Sequence, residues 1–407
     1  MSPSPTHPDA SAPSSRADFS RLEWAALLFV VCCGFSSQMV APLWISAIIT
    51  DFGLSAAAAG RVNSFEFMAV AVVSVLVAVN IRRFPTLLTT VVGMVLLLVG
   101  NVASAFTPDE MSLTFARVLC GVGKGLVEAV VFSLVAGTSH PTRSFATLNV
   151  AYAVFSTFFF FTVPYAIERE GAVGAFHAMG LVALVGTAFL PFFPRQPLSH
   201  GELDGFSLRQ VPPWGIAAFF VLILLWSGQH GLMAFIERFG DARGMNAREV
   251  GQILGLAAFL TIAGPTIARV VETRFGFTPP MLLAITILIG ATFVLGHSAT
   301  RTAFTLAVPL FMLMPLLITP YLMGVLSLAD PAGRLSAASS AAMTAGSSMG
   351  AWLGGMALTG GGLGVLSWTS IGHFAICALI ILVIAPLATR RGAKVRAAAA
   401  GALGDPE

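Results

Sequence analysis

The chain has 407 residues, of which 56% are hydrophobic and 10% charged, and its mean hydropathy is +0.86. A soluble domain carries about 25% charged residues, so this chain has too little polar surface to cover a water-soluble globule, and its solvent is predicted to be lipid. The formal net charge of +3 is small, and no basic cluster interleaved with aromatics points to nucleic acid.

Residues 1–22 are rich in Pro, Ser and Ala and read as a disordered cytoplasmic tail. They are not a signal peptide, because the first apolar run is too long and no small-residue cleavage site follows it. A membrane-spanning helix needs about 20 apolar residues. The pattern predicts twelve spans: Trp24–Ile49, Ala58–Asn80, Pro85–Phe106, Met111–Gly137, Phe145–Ile167, Val173–Phe193, Trp214–Phe239, Val250–Val271, Pro279–Leu295, Ala303–Leu328, Ser336–Leu358 and Ser367–Leu387. Pro, Gly, Asp and Arg punctuate the gaps. Arginine is concentrated in alternate loops, with Arg82 and Arg83, Arg143, Arg195, Arg274 and Arg334 on the side of both termini, and Arg390, Arg391, Lys394 and Arg396 in the tail. Arg243, Arg248 and Arg301 go against this bias. By the positive-inside rule both termini are cytoplasmic, and the expected location is the inner membrane. The longest connection, 195–213, divides the chain into six-helix halves at 23–194 and 214–390, followed by a cytoplasmic tail at 391–407.

The chain repeats itself at a period of about 190 residues. Gly53-Leu-Ser55-x4-Gly60 matches Gly244-Met-Asn246-x4-Gly251, Arg83-Phe84 matches Arg274-Phe275, and His140-Pro141 with Arg143 matches Asp330-Pro331 with Arg334. Each match falls at the same place relative to the spans of its half. Ser55 and Asn246 are good N-caps for the second helix of each half. A parallel repeat of six spans implies an axis along the membrane normal, as in transporters.

The fourth span carries a polar stripe. Each helical residue advances about 100°, so Arg117, Gly121, Lys124 and Glu128 fall within roughly 40° of one another. Each buried charge costs at least about 2.5–3.5 kcal/mol on the insertion scale, so a water-filled cavity or a partner charge is the default expectation. Lys124 is one of only two lysines in the chain. Glu66, in the second span, is expected at the depth of residues 117–124. Two readings stay open: an ion network holding the N-terminal half together, with Lys124 pairing Glu128 one turn away, or a cavity face that attracts anions and carries protons. Glu66 is the candidate proton carrier, with burial raising its pKa and the neighbouring cations lowering it, or else a permanent partner of Arg117.

The four cysteines, Cys32, Cys33, Cys120 and Cys377, all lie in apolar runs without metal or redox spacing, so no disulfide, metal or cofactor is expected. Gly121-Val-Gly-Lys124-Gly is not a phosphate-binding loop, because Val118 and Gly125 replace required residues. Gly346-Ser-Ser348-Met-Gly350 matches the Gly-x-Ser-x-Gly pattern of hydrolases but lies within a membrane helix, where it reads as close packing by small residues. An intramembrane serine hydrolase and a transporter-like sensor are the remote alternatives.

With these residues in view, the sequence resembles the major facilitator superfamily over nearly all of residues 22–390. Arg117-x3-Gly121-x-Gly123 is similar to that family's fourth-helix pattern. Gly264-Pro-Thr-Ile-Ala-Arg269-Val-Val-Glu-Thr-Arg274-Phe-Gly276 is similar to the C-terminal copy of its second-helix loop signature, and Gly346-x3-Gly350-x3-Gly354-Gly355 resembles the eleventh helix of its prokaryotic solute and drug exporters. Two positions depart from the pattern. Asn80 stands where the N-terminal loop signature has a carboxylate, ahead of Arg82 and Arg83, and the fifth span holds Pro164 but no glycine. The resemblance implies an all-α membrane protein of twelve helices in two pseudo-symmetric halves, with helices 1, 4, 7 and 10 lining a central cavity and 3, 6, 9 and 12 facing outward. The expected translocation residues are Glu66, Arg117, Lys124 and Glu128, with Gln38 on helix 1, Trp226, Gln229 and His230 on helix 7, and Tyr321 on helix 10. The expected gating loops carry Asn80, Arg82, Arg83, Arg269 and Arg274. Glu237-Arg238 reads as a solvated helix end with gate pairing as the alternative.

The expected function is secondary active transport, not an enzymatic reaction. A monomer would move a small organic solute, anionic or zwitterionic in view of Arg117 and Lys124, by alternating access and with proton coupling. Export is favoured by the eleventh helix. The glycine-free fifth helix favours the alternative, a proton symporter importing an organic acid.

Overall fold

A computed structural model describes residues 19–80, 83, 85–107, 109–196, 211–264, 277–330 and 334–402. The predicted gating residues Arg82, Arg269 and Arg274 lie outside them. Every regular element among the described residues is helical, and nine of these helices are long and apolar enough to cross a bilayer.

Helix α1 (Arg21–Met39) opens on a capping box in which Ser20 and Glu23 satisfy each other's backbone N–H groups. The chain breaks at Val40 and resumes as α2 (Ala41–Asp51), so the single predicted first span is two helices. Pro42 accounts for the break: it has no N–H to donate, and its ring clashes with the carbonyl one turn back. The first span of the second half also breaks, into α8 (Pro213–Met233) and α9 (Ile236–Asp241), where no proline is present.

Between these lie α3 (Ala56–Val79), α4 (Thr86–Ala105), α5 (Glu110–Ala136), α6 (Pro141–Glu170) and α7 (Ala172–Thr187), and after them α10 (Ala247–Leu260), α11 (Thr278–His297), α12 (Arg301–Ala329) and α13 (Arg334–Ala402). The last two predicted spans both fall within α13, which is non-helical at Gly361 and Gly362. The chain doubles back there, because a side chain on Gly350 would meet the backbone of Ser227 while one on the adjacent Gly228 would meet Phe374.

The sequence repeat has a structural counterpart. Gly53 and Gly244 hold matching left-handed turns (φ 67° and 69°), and Ser55 and Asn246 cap α3 and α10 by accepting hydrogen bonds from Ala58 and Glu249. A Cβ on Gly60 would lie 2.5 Å from the Ala351 carbonyl oxygen on α13, and one on Gly251 would lie 2.5 Å from the Phe160 carbonyl oxygen on α6. The repeated glycine therefore marks two equivalent crossings, α3 on α13 and α10 on α6, where backbones approach too closely for any side chain. Gly346, Gly350 and Gly354 meet the α8 carbonyls of Ile223, Ser227 and Gly231 in the same way, and Ser348 donates to the Ser64 carbonyl, so this motif is a packing surface.

The remaining faces show what the fold is dissolved in. On α4, Val92, Val95, Val99 and Val102 form one exposed apolar stripe, while the opposite face buries Met94, Leu97, Asn101 and Ser104. A continuous apolar exposed face of this kind is stable against lipid, not water.

Candidate substrate and proton site

Helix α5 begins on an Asp109 N-cap, whose carboxylate is held below its usual pKa by hydrogen bonds from Ser112. Its buried face carries Arg117, Lys124 and Glu128, and the glycines between them set its neighbours. A side chain on Gly121 would strike the Glu66 carbonyl and Ala69 on α3, and one on Gly123 would come within 2.5 Å of the Gly93 carbonyl oxygen on α4. Small residues thus draw α3 and α4 onto α5 at the level of its charges.

The stripe divides into two sites. Arg117 is fully buried and forms a forked salt bridge to Glu66, with Nε to Oε2 at 3.0 Å and Nη2 to Oε1 at 2.9 Å. It also donates to Asn101 Oδ1 at 2.9 Å and to Ser37 Oγ at 2.5 Å. Its guanidinium lies over Trp44 and Phe176, 5.1 and 5.6 Å from their ring centroids. Four of its five N–H donors have partners, and the group joins α5 to α1, α2, α3, α4 and α7.

Lys124 is buried under different conditions. It donates to Gln38 Oε1 on α1, and its ammonium faces the rings of Phe35 and Phe67, 4.7 and 5.0 Å from their centroids. The anticipated Lys124–Glu128 ion pair is not formed: none of the ion pairs within 4.0 Å among the described residues involves either group. Gln38 and two aromatic faces stand where the ion-network reading would put the Glu128 carboxylate.

The second half meets this cluster through α8. His230 packs edge-on against Phe67 at 5.4 Å, and Trp226 lies against His230 at 5.5 Å. Tyr152 of α6 packs edge-on against Phe35 at 5.3 Å. Gln229 Oε1, Trp226 Nε1 and Asn63 Nδ2 are buried and have no hydrogen-bond partner, an arrangement that costs about 1–3 kcal/mol per group and that native proteins usually avoid. Tyr321 is buried on α12, edge-on to Phe277. Of the gating residues, Asn80 caps α3 and donates to the Leu76 carbonyl, and Arg83 is exposed.

The residues that complete both groups, Phe35, Phe67, Ser37, Asn101 and Asn63, were not candidates from sequence. In a chain with 32 phenylalanines an aromatic at a helical position carries no signal, and the lone Asn and Ser residues gain meaning only once Arg117 or a cavity is beside them.

Polar contacts between the halves are concentrated at the distal end of the bundle, opposite the end at which α1 begins. There Ser46 donates to Glu237, Arg238 donates to Thr50 Oγ1 at 3.1 Å, Arg248 pairs with Glu168, and the Ala57 N–H donates to Thr359 Oγ1 at 2.9 Å. Glu237 and Arg238 therefore both bond to α2 across the halves. Nearer the middle, Ser64 bonds Ser348 at 3.0 Å and Thr157 bonds the Gly255 carbonyl at 3.1 Å.

A helical bundle with an apolar exposed surface, a twofold internal repeat and a set of buried charges has the architecture of a membrane transporter. The family model of the Major Facilitator Superfamily matches residues 26–354, and the chain belongs to that superfamily. It is accordingly a multi-pass membrane transporter, not an enzyme. Among solved structures it is similar to the nucleoside transporter NupG (13% identity, TM-score 0.70, covering 90% of this chain and 98% of that one). It is also similar to a peptide transporter POT in complex with sulfate (14%, 0.71, 91% and 95%). A third is a bacterial homolog of the human lysosomal transporter Spinster in an inward-facing, unoccupied conformation (13%, 0.69, 91% and 97%). At such identities the likeness is one of fold. No curated protein matches the sequence.

Proposed function

We propose that this protein is a proton-coupled secondary transporter, a monomer of the inner membrane with both termini cytoplasmic, that exports a small organic solute bearing a carboxylate. The observation that carries this reading is Lys124: a buried ammonium with no carboxylate within 4.0 Å, facing the rings of Phe35 and Phe67, the second of which packs against His230 of α8. A buried cation left in this condition is expensive, and a ligand carboxylate is the natural counter-ion.

On this reading the distal end is the outer end, and its cross-half bonds hold the transporter closed to the outside. Glu66 is the proton site. Protonation removes its attraction for Arg117, and Arg117 is the group that ties α5 to five other helices, so a proton arriving here loosens the first half as a unit. A rocking of the two halves that opens and closes the crossings at Gly60 and Gly251 then exposes Lys124 to alternate sides.

The test is counterflow in proteoliposomes with an imposed pH gradient, using ligands found by thermal-shift screening of organic acids, amino acids, sugars and drugs. Substrate should accumulate against its gradient on the side from which protons leave. Uptake driven by an inward proton gradient would replace export with the symport reading, which the glycine-free fifth helix favours.

A further inference from the structure

We infer that the solute is a zwitterion of amino-acid type, its carboxylate held by Lys124 and its ammonium by Glu128. The inference rests on the reading of Lys124 as the substrate site and specifies the chemistry which that site takes.

The argument begins with charge. The buried charged residues among the described ones are Glu66, Arg117, Lys124 and Glu128, two of each sign. Glu66 and Arg117 neutralise each other by direct contact. Lys124 and Glu128 balance in number but not in contact, since neither has an ion-pair partner within 4.0 Å. A simple anion bound at Lys124 would leave one net negative charge in a low-dielectric site, and a simple cation bound at Glu128 one net positive charge. Either state carries a desolvation penalty that no partner offsets. A ligand carrying both charges leaves the site neutral and gives each buried group its counter-ion.

Spacing narrows the class. Residues four apart on a helix have Cβ atoms about 5–6 Å from each other on one face. The ammonium and carboxylate of an α-amino acid sit on the same carbon and fit between two such side chains, each reaching from its own turn. The terminal charges of a peptide lie further apart with every residue added, so a single amino acid fits better than a peptide. The surroundings fit the rest of the molecule. Phe35 and Phe67, over the Lys124 ammonium, and Tyr152, packed on Phe35, supply apolar faces for a large side chain.

The experiment uses the purified full chain in detergent. Thermal shift and calorimetry would be measured with phenylalanine and with leucine, each as the free amino acid, the N-acetyl acid and the methyl ester, and with the dipeptide Phe-Ala. The free amino acids should stabilise the protein, with affinity at least tenfold above that of the N-acetyl acid, the ester and the dipeptide. Glu128→Gln should reverse the order in favour of the N-acetyl acid, and Lys124→Met in favour of the ester. The wild-type comparison needs neither variant, so misfolding of a variant leaves the result intact. Binding of the N-acetyl acid to wild type at least as tight as the free amino acid would overturn the inference, as would tighter binding of the dipeptide or no binding of any ligand in the set. Transport of the N-acetyl acid would retain the carboxylate transporter and sink only the zwitterion. Binding of the free amino acid without flux in proteoliposomes would sink the transport reading and leave the ligand assignment standing.

Discussion

Two cations seven residues apart on one buried helix face have different neighbours, and the proposed roles differ with them. Arg117 has a bidentate carboxylate, an amide and a hydroxyl, whereas Lys124 has a single amide oxygen and two rings. Removing one partner of a buried ion pair leaves an uncompensated charge, at about 3–5 kcal/mol. Arg117→Ala should therefore lower the melting temperature in detergent strongly. Glu66→Gln with Arg117→Gln should recover much of the loss, because neither charge is then stranded, and additive effects in that double-mutant cycle would show that the contact contributes little. Lys124→Ala should do the reverse: the protein stays folded with an unchanged or raised melting temperature, and transport falls to background. Survival of transport with a lowered melting temperature would return Lys124 to a structural role. Glu66→Gln should also make transport insensitive to pH. The positions of these charges were legible in the sequence, since helical periodicity alone puts them on one face and at the depth of Glu66. Glu66 as the partner of Arg117 was legible as one of two readings; Asn101 for Arg117 and Gln38 for Lys124 were not, because those choices are made by how α1 and α4 pack on α5.

At the level of elements, the repeat carried more information than any single span. Its two glycines sit at equivalent crossings between the halves, although nothing in Gly60 or Gly251 by itself distinguishes a contact glycine from the others in the chain. Among the described residues the predicted spans are mostly occupied by helix, and the last boundary coincides with the non-helical pair Gly361 and Gly362. The sequence pattern missed the breaks at Val40 and Ala234 because both stretches are apolar on either side, and a hydropathy window has no term for a lost hydrogen bond. The crossings support a direct test. A Cβ on Gly60 would meet the Ala351 carbonyl at 2.5 Å and the Gly355 Cα at 3.1 Å, both backbone atoms of α13 that cannot yield as a side-chain tip could. Gly60→Ala and Gly251→Ala should each force the halves apart at the distal end and raise labelling of a cysteine placed at Thr50 by a membrane-impermeant maleimide severalfold. Gly290→Ala, where nothing lies within 4 Å, should leave it unchanged. Equal labelling in all three would mean that the crossings do not control closure.

For the molecule as a whole, alternation between two states requires that each closed end be held by contacts weak enough to release. The distal bonds suit that requirement. Arg248 and Glu168 are about 41% and 39% exposed, and an ion pair in that setting is worth roughly 0–1 kcal/mol. Glu237 is less exposed, but its partner Ser46 is neutral. Two or three such contacts amount to about 1–3 kcal/mol, and each 1.4 kcal/mol shifts the balance between states tenfold, a range over which a ligand or a proton can act. Arg248→Ala combined with Glu237→Ala should accordingly move the population toward distal opening without unfolding the protein. Spin labels at Phe52 and Ala242, which flank the Ser46–Glu237 contact on the two halves, would report this as a longer second distance in electron–electron resonance. The same substitutions should weaken binding of any ligand that prefers the distally closed state. A distance distribution identical to that of the wild type would show that the apolar and backbone packing at Gly60 and Gly251, and not the distal polar contacts, sets which side is open.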